Sequence, residues 1–541
     1  MVRRIALLVA VIALLAACSP AQPKATPPAP PKPPTSTTPP LPPATVTPDP
    51  GQVATLTGLL QDMRQHFPAL TLIPGAQDIL DYGIGDLWRK GVDGAGTTVA
   101  LVEGWNAPDI GPALAAFDRR MGLPDPDLQT IYPAGPLPPQ CPAGMVSLGS
   151  YGSCDGWAGE LELDVASVHL IAPYAKILLV VTPPDTETTD DAASQVAPPE
   201  MMEGVEYVAT HHLADVISIS DDTGEATFSH GAPQITAQDP GELTAAANDI
   251  PVLVGTGDCG VVQNLATASS QCGSTTKTPD TAAWDDSPWV TAVGGSVPNL
   301  NHTTGASLGP DTVWAEGKSA EGAGTSTVYR VPEYQRHVVN GPMRAVPDLT
   351  MDGMAGTSES TPLFAGVLAL AAQLNHAPVG PINNVLYQVL GPKGTQDGIS
   401  DIVTGSNSVP GAPGLSAGPG FDPATGWGTI NAATFVPALI DAVRAQHAPN
   451  IPSLQAAAAL AKLRGGAHLT GDARRLVSTG FLPGHPVHLL IDGKQVTTLT
   501  ADDTGAIGYP VDPATLHLAP GRHTMVLHSM LIDQQLSFTS K

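Results

Sequence analysis

Ala158-Gly-Glu-Leu-Glu-Leu-Asp-Val-Ala-Ser-Val-His-Leu-Ile171 and, after a short gap, Lys176-Ile-Leu-Leu-Val-Val-Thr182 decide the fold. In the first segment Leu161, Val165 and Val168 recur at helical spacing; the second is an unbroken apolar run of strand length. A strand without a polar face must be covered on both sides. The same alternation continues outward in both directions. Upstream lie a strand over Thr97–Gly104 and a helix over Pro108–Met121. Downstream come a helix over Met201–His212, a strand over Val216–Ser220, a helix over Glu242–Asn248, and strands over Pro251–Gly255 and Trp289–Val293. This grammar predicts an α/β protein, a parallel sheet with helices on both faces, whose chemistry sits beyond the carboxyl ends of the strands.

Composition narrows the function. Acids outnumber bases 50 to 24, for a net charge of −26 over 541 residues. Such a surface repels phosphate, so nucleic acid is excluded as a partner. Only 14% of residues are charged while Gly and Pro supply 56 each, which describes a loop-rich globular chain with a stiff linker.

Residues 1–18 read as an address. Arg3 and Arg4 precede the apolar run Ile5–Ala17, too short for a mature span, and Leu15-Ala-Ala-Cys18 resembles a bacterial lipobox. Lipid on Cys18 would place the chain, expected to be a monomer, on the extracellular face of the cell membrane. Residues 19–50 contain 14 prolines and form no core; they read as a polyproline-like stalk. The α/β unit is assigned to 51–445. Residues 446–541 change to short alternating strands, Val487–Asp492, Gln495–Leu499 and His523–His528, and read as a small immunoglobulin-like β-sandwich. The four cysteines beyond Cys18 permit three connectivities; their two equal short separations favour Cys141–Cys154 and Cys259–Cys272.

Candidate chemistry gathers at three places. In Met351-Asp-Gly-Met-Ala-Gly-Thr-Ser358, a glycine-bearing turn delivers Ser358 to the start of an apolar helix over Glu359–Ala372, with Pro362 in its first turn. A hydroxyl there meets unpaired backbone N–H groups and the positive end of the helix dipole, so it is either a nucleophile or an N-cap. Glu160 and Asp164, four apart, share one helix face, as a working carboxyl pair or a solvated surface. Gly257-Asp258-Cys-Gly260 closes a strand with an Asp that projects into a crevice or caps its own turn.

Together these motifs resemble the sedolisin family of serine-carboxyl peptidases. The landmarks run in order from about Asp78 to Ala442: Glu160-x-x-x-Asp164, Gly257-Asp258-x-Gly260, Ser287-Pro-Trp-Val-Thr-Ala-Val-Gly-Gly295, Pro347-Asp348 and Gly356-Thr-Ser358-x-x-x-Pro362. The resemblance implies a subtilisin-like fold and hydrolysis of a protein or peptide substrate at acid pH. It makes Ser358 the nucleophile, Glu160 the general base and acid, Asp164 the group that orients Glu160, and Asp258 the acid at the oxyanion. Ordinary carboxyl values would put the working window at roughly pH 3 to 5. The chain departs from the family pattern at Ser220-Asp221-Asp222-Thr223-Gly224-Glu225, where a shorter Ser-x-Gly is usual, and at Glu359 beside the nucleophile. It also departs upstream, where only Gly51 to about Gly75 separates the stalk from the catalytic unit.

A further constellation, Asp401-Ile402 with Gly418-Pro-Gly420-Phe-Asp422, offers two carboxylates and glycine carbonyls, the oxygen-only set that calcium prefers. The resemblance places one structural Ca2+ here, held by Asp401 and Asp422 and by the backbone oxygens of Ile402, Gly418 and Gly420. Two rival readings compete. A subtilisin-type Asp-His-Ser enzyme has only His230-Gly231 to offer. A catalytically inactive surface binding protein on a peptidase scaffold would lose nothing on Ser358→Ala.

Overall fold

The computed structural model describes residues 82–541 apart from 108–109, 138–140, 142–153, 184–196, 222, 266–270, 300–308, 447–450, 465, 471–474, 532 and 541. The signal, stalk and 51–81 segment therefore lie outside the described residues.

Seven parallel strands form the central sheet: β1 (Thr98–Glu103), β2 (Asp127–Ile131), β3 (Lys176–Val181), β4 (Val216–Ile219), β5 (Val252–Gly255), β6 (Thr291–Val297) and β7 (Leu349–Asp352). Their order is β7-β6-β5-β4-β1-β3-β2, with the short strand Thr312–Val313 antiparallel against β6 as the eighth. β1 and β3 pair in register from Thr98 opposite Lys176 to Glu103 opposite Val181. The inner strands are buried almost without interruption, as their apolar runs require. β6 starts two residues later than Trp289 and runs through Gly294-Gly295. Those glycines are needed for close approach, since a Cβ on Gly294 would lie 2.9 Å from Pro347 Cγ.

Helices cover both faces. α1 (Cys154–Ile171) and α2 (Thr357–Asn375) pack together on one face, and α3 (Glu200–Thr210) with α4 (Pro240–Ala247) cover the other. α2 is buried all round, Leu363, Phe364, Val367 and Leu368 being sealed, which is why it lacks an amphipathic pattern. Its Gly366 meets α1 at Ile171, where a Cβ would fall 2.6 Å from the Ile171 Cβ. Pro362 lies in the second turn of α2 rather than the first, because the helix begins at Thr357.

The alanine-rich helix Ile451–Arg464 packs on α4. Beyond it, antiparallel sheets of three and four strands enclose a separate core around Leu476, Val487, Leu489, Met525 and Leu527. This sandwich is fastened to α3. The Ser529 hydroxyl and the Leu531 N–H donate to Glu203 at 3.0 and 2.9 Å, and His485 Nε2 lies 3.1 Å from Glu200 Oε1. The disulfides are Cys141–Cys154 and Cys259–Cys272. Among the described residues no helix is long and apolar enough to cross a membrane.

Candidate active site

The site forms where α1 and α2 meet the carboxyl ends of β1, β4 and β5. Gly356, at φ 106°, opens the turn that a side chain would block: a Cβ there would sit 2.6 Å from Asp258 Oδ2. Thr357 then starts α2 and Ser358 follows, partly exposed. Pro362 has no N–H to give the Ser358 carbonyl, one helical turn back. That carbonyl instead lies 3.5 Å from the Ser220 hydroxyl at the end of β4.

Carboxyl groups converge on this turn. The Ser358 side chain lies against Glu160 and pulls its pKa down, and the Glu160 Oε1 is sealed from solvent. Asp164, fully buried one turn along α1, accepts the Ser220 hydroxyl at 2.6 Å and interacts with Glu103, the last residue of β1. Asp164 bears on Glu160 through its charge. Asp258, just beyond β5, takes the Thr357 N–H on Oδ1 at 2.8 Å and the Thr357 hydroxyl at 3.1 Å; Gln271 donates its side-chain amide to Oδ2. Asp221, beside Ser220, faces the same crevice and interacts electrostatically with Glu103, Glu160, Asp164 and Asp258.

No cation contributes to these shifts, and burial dominates all of them. Burial, then the charges of Asp221 and Asp164, holds Glu160 well above the ordinary carboxyl range; the Ser358 side chain opposes this. Burial likewise raises Asp164 against the Ser220 hydrogen bond, and raises Glu103 together with the Asp164 charge. Asp221 is pushed to about 7 by burial and by Asp258. Asp258 reaches about 6 by burial, although Thr357 and Gln271 pull it down. Asp258 can therefore keep a proton below about pH 6, whereas the raised Glu160 can accept one from Ser358 only in the state of the cluster that leaves Glu160 ionised.

Comparison with known proteins agrees with this geometry. Residues 151–387 match the Subtilase family model. Kumamolisin of Bacillus sp. (strain MN-32) is 28% identical over 384 residues, covering 66% of this chain and 62% of that protein. Sedolisin of Pseudomonas sp. (strain 101) is 26% identical over 363 residues, covering 63% and 57%. In three dimensions, Pseudomonas sedolisin, a serine-carboxyl proteinase complexed with two molecules of pseudo-iodotyrostatin, superposes with a TM-score of 0.53 at 25% identity, covering 64% of this chain and 94% of that one. The chain is thus similar to sedolisin-type peptidases. It spans about three fifths of the length of these two curated relatives.

In this chain the structure brings Ser358, Glu160, Asp164 and Asp258 together, as the sequence motifs suggest. Sequence reasoning missed Glu103, Ser220, Gln271 and Thr357. Glu103 had a signal, an acid closing an otherwise apolar strand. Gln271 had none, since a disulfide loop sets its position. His230 is turned elsewhere: its ring pairs with Asp503 of the sandwich at 2.9 Å, so it does not serve an Asp-His-Ser arrangement.

The second constellation folds as one loop system. Asp401 Oδ2 accepts the Gly420 N–H at 2.8 Å. Asp422 takes the Gly418, Ala424 and Thr425 N–H groups and the Thr425 hydroxyl, at 2.8 to 3.2 Å. Asp401 Oδ1 is buried without a donor, as an oxygen meant for a cation would be. Among the described residues no three His, Cys, Asp or Glu side chains converge as a metal cluster. A site here would lean on Asp401 and backbone carbonyls, with Asp422 yielding some of its N–H partners; on those terms the residues fit an oxygen-bound cation.

Proposed function

We propose that this chain hydrolyses peptide bonds of protein or peptide substrates at acid pH with Ser358 as nucleophile. The observation that carries the proposal is the convergence on one turn of Ser358, the Glu160 carboxyl whose pKa it pulls down, and Asp258, which accepts the N–H of the adjacent Thr357 at 2.8 Å. Ser358 Oγ attacks the scissile carbonyl carbon as its proton passes to Glu160; Glu160 then gives that proton to the departing amine. Asp258, as the neutral acid, donates its O–H to the oxyanion. A water deprotonated by Glu160 releases the acyl group, and the proton returns to Ser358. Asp164, with Glu103 and Ser220 behind it, stabilises Glu160 in its working orientation.

This scheme needs Glu160 ionised and Asp258 protonated. With Asp258 at about 6, activity should fail as the pH rises through that value, an alkaline edge above the window expected from unperturbed carboxyls. Full-length protein and Ser358→Ala are compared on a peptide library at pH 4. Loss of at least about 10⁴-fold in the variant is expected; equal cleavage by both would refute the nucleophile, and a flat rate from pH 3 to 8 would refute the acid pair.

We further propose that Asp401, Asp422 and the carbonyls of Ile402, Gly418 and Gly420 hold a structural Ca2+. When bound, the ion supplies a positive charge that fixes these loops; hydrolysis needs nothing from it. Chelation should lower the melting temperature and Asp401→Ala should abolish the chelator's effect, whereas an EDTA-insensitive melt would argue against the site. Residues 1–50 support a lipid anchor at Cys18 on the outer face of the membrane, and Cys18→Ala should then release the chain from the membrane fraction; retention there would count against the anchor.

A further inference from the structure

Cys259 directly follows Asp258, and Cys272 directly follows Gln271. The disulfide that joins these cysteines, with Cα atoms 5.5 Å apart, thus staples Asp258 and Gln271 face to face. Cys272 Sγ lies 3.1 Å from the Asp258 carbonyl oxygen, and the Gln271 side-chain amide donates to Asp258 Oδ2. The other carboxyl oxygen, Oδ1, is already committed to the backbone N–H and hydroxyl of Thr357. Gly356 packs beneath Oδ2, closing the side on which a larger residue would stand.

This division of labour bears on the oxyanion acid. A backbone N–H cannot turn into an acceptor, so a proton on Asp258 belongs on Oδ2. That oxygen faces a carboxamide, which can donate through Nε2 to the anion or, turned about its last torsion, accept through Oε1 from the acid. The titratable groups facing Asp258 are Glu160 from α1 and Asp221 from the end of β4. Both are carboxyls and interact with Asp258 through their charge. Gln271 is the uncharged side chain that can serve both protonation states.

We propose that Gln271 is a positioning residue for the oxyanion acid: tethered by the Cys259–Cys272 bridge, its carboxamide holds Asp258 Oδ2 aimed at the place the carbonyl oxygen of the substrate will take. The proposal rests on the assignment of Asp258 above. It predicts an effect on turnover rather than on substrate binding, because Gln271 touches Asp258 and not the peptide. Removing the amide also removes a donor that favours the anion, so Asp258 should stay neutral to higher pH.

The test uses the full-length protein and a peptide cleaved by wild type but not by Ser358→Ala. Asp258→Asn comes first: a wild-type rate there refutes the oxyanion assignment itself, independently of Gln271. With that variant impaired, Gln271→Ala and the similarly sized Gln271→Met should each lose about tenfold in kcat with KM nearly unchanged. Both should shift the alkaline limb of the pH profile upward. Cys259→Ala/Cys272→Ala should shift it in the same direction, since the tether is gone. A wild-type profile in the Gln271 variants, a limb that moves down, or a lower rate with the limb unmoved would overturn the proposal; the last result would leave Gln271 a packing role only.

Discussion

Two buried carboxyl sites stand at opposite ends of one short strand, and they are built in opposite ways. Asp348, just before β7, is fully buried and saturated. Arg344 reaches it with two N–H groups at 2.8 and 3.0 Å, Tyr387 donates at 2.7 Å, the Ala292 N–H at 2.8 Å and Asn383 at 3.2 Å. Beyond the other end of β7, Ser358 meets carboxyls that face one another, with no cation contributing to their shifts. A buried carboxylate met by a cation and several donors holds structure. An uncompensated group is forced to share protons, which is what acid–base catalysis by carboxyls requires. The Pro347-Asp348 landmark of the sequence thus marks the anchor that seats β7, and the chemistry belongs to the next turn.

The widest separation between the two sites should come from removing the cation. Arg344→Met leaves Asp348 buried without its ion pair and frees the Asp285 and Val290 carbonyls that Arg344 also holds. A destabilisation of about 3–5 kcal/mol is expected, read by denaturant unfolding. Native-like stability in this variant would mean that Tyr387 and Asn383 suffice, and the contrast would weaken. At the other site, removing a charge should harm stability little and alter chemistry instead. Asp221 supplies the largest charge effect on Glu160, second only to burial. Asp221→Asn should therefore lower the Glu160 pKa and shift the acidic limb of the pH–rate profile downward, leaving Ser358 and Asp258 in place. An acidic limb that stays where it was would place Asp221 outside the circuit.

Much of this plan was legible before any coordinates. Apolar runs gave β1, β3, β4 and β5 because strands buried on both faces carry their own signature. The spacing of Glu160 and Asp164 fixed their shared face because helix geometry is local. The signal fails where the chain must return from far away. Glu103, Asp221 and Gln271 reach the site from separate elements, and no local period relates them to Ser358. Ile451–Arg464 was also illegible as a docking helix: its alanines suit any helix, and only α4 across from it decides which face is buried. The Asp401 and Asp422 loops show the intermediate case, in which residue types suggested a cation while backbone N–H groups took most of the Asp422 oxygens.

The smallest effect is spread over the whole molecule, and its sign distinguishes it. Burial raises Asp221, Asp239 and Asp280 from 3.8 to about 7, Asp93 and Asp258 from 3.8 to about 6, and Glu203 at the sandwich contact from 4.5 to about 7. Each binds more protons in the folded chain than in the unfolded chain across that interval. Their contribution to stability is fully present below about pH 4 and is lost as the pH rises through 6 to 7. His485, raised to about 9 chiefly by its Glu200 hydrogen bond against the cost of burial, stays charged over this range and does not oppose the trend. Thermal melts of Ser358→Ala, chosen to prevent self-digestion, should thus show a higher melting temperature at pH 4.5 than at pH 7.5, by a few degrees. Asp221→Asn in the same background should flatten part of that slope, because one of the uncompensated charges is gone. A melt that climbs toward neutrality would mean that the open acid cluster is too solvated to share protons as argued.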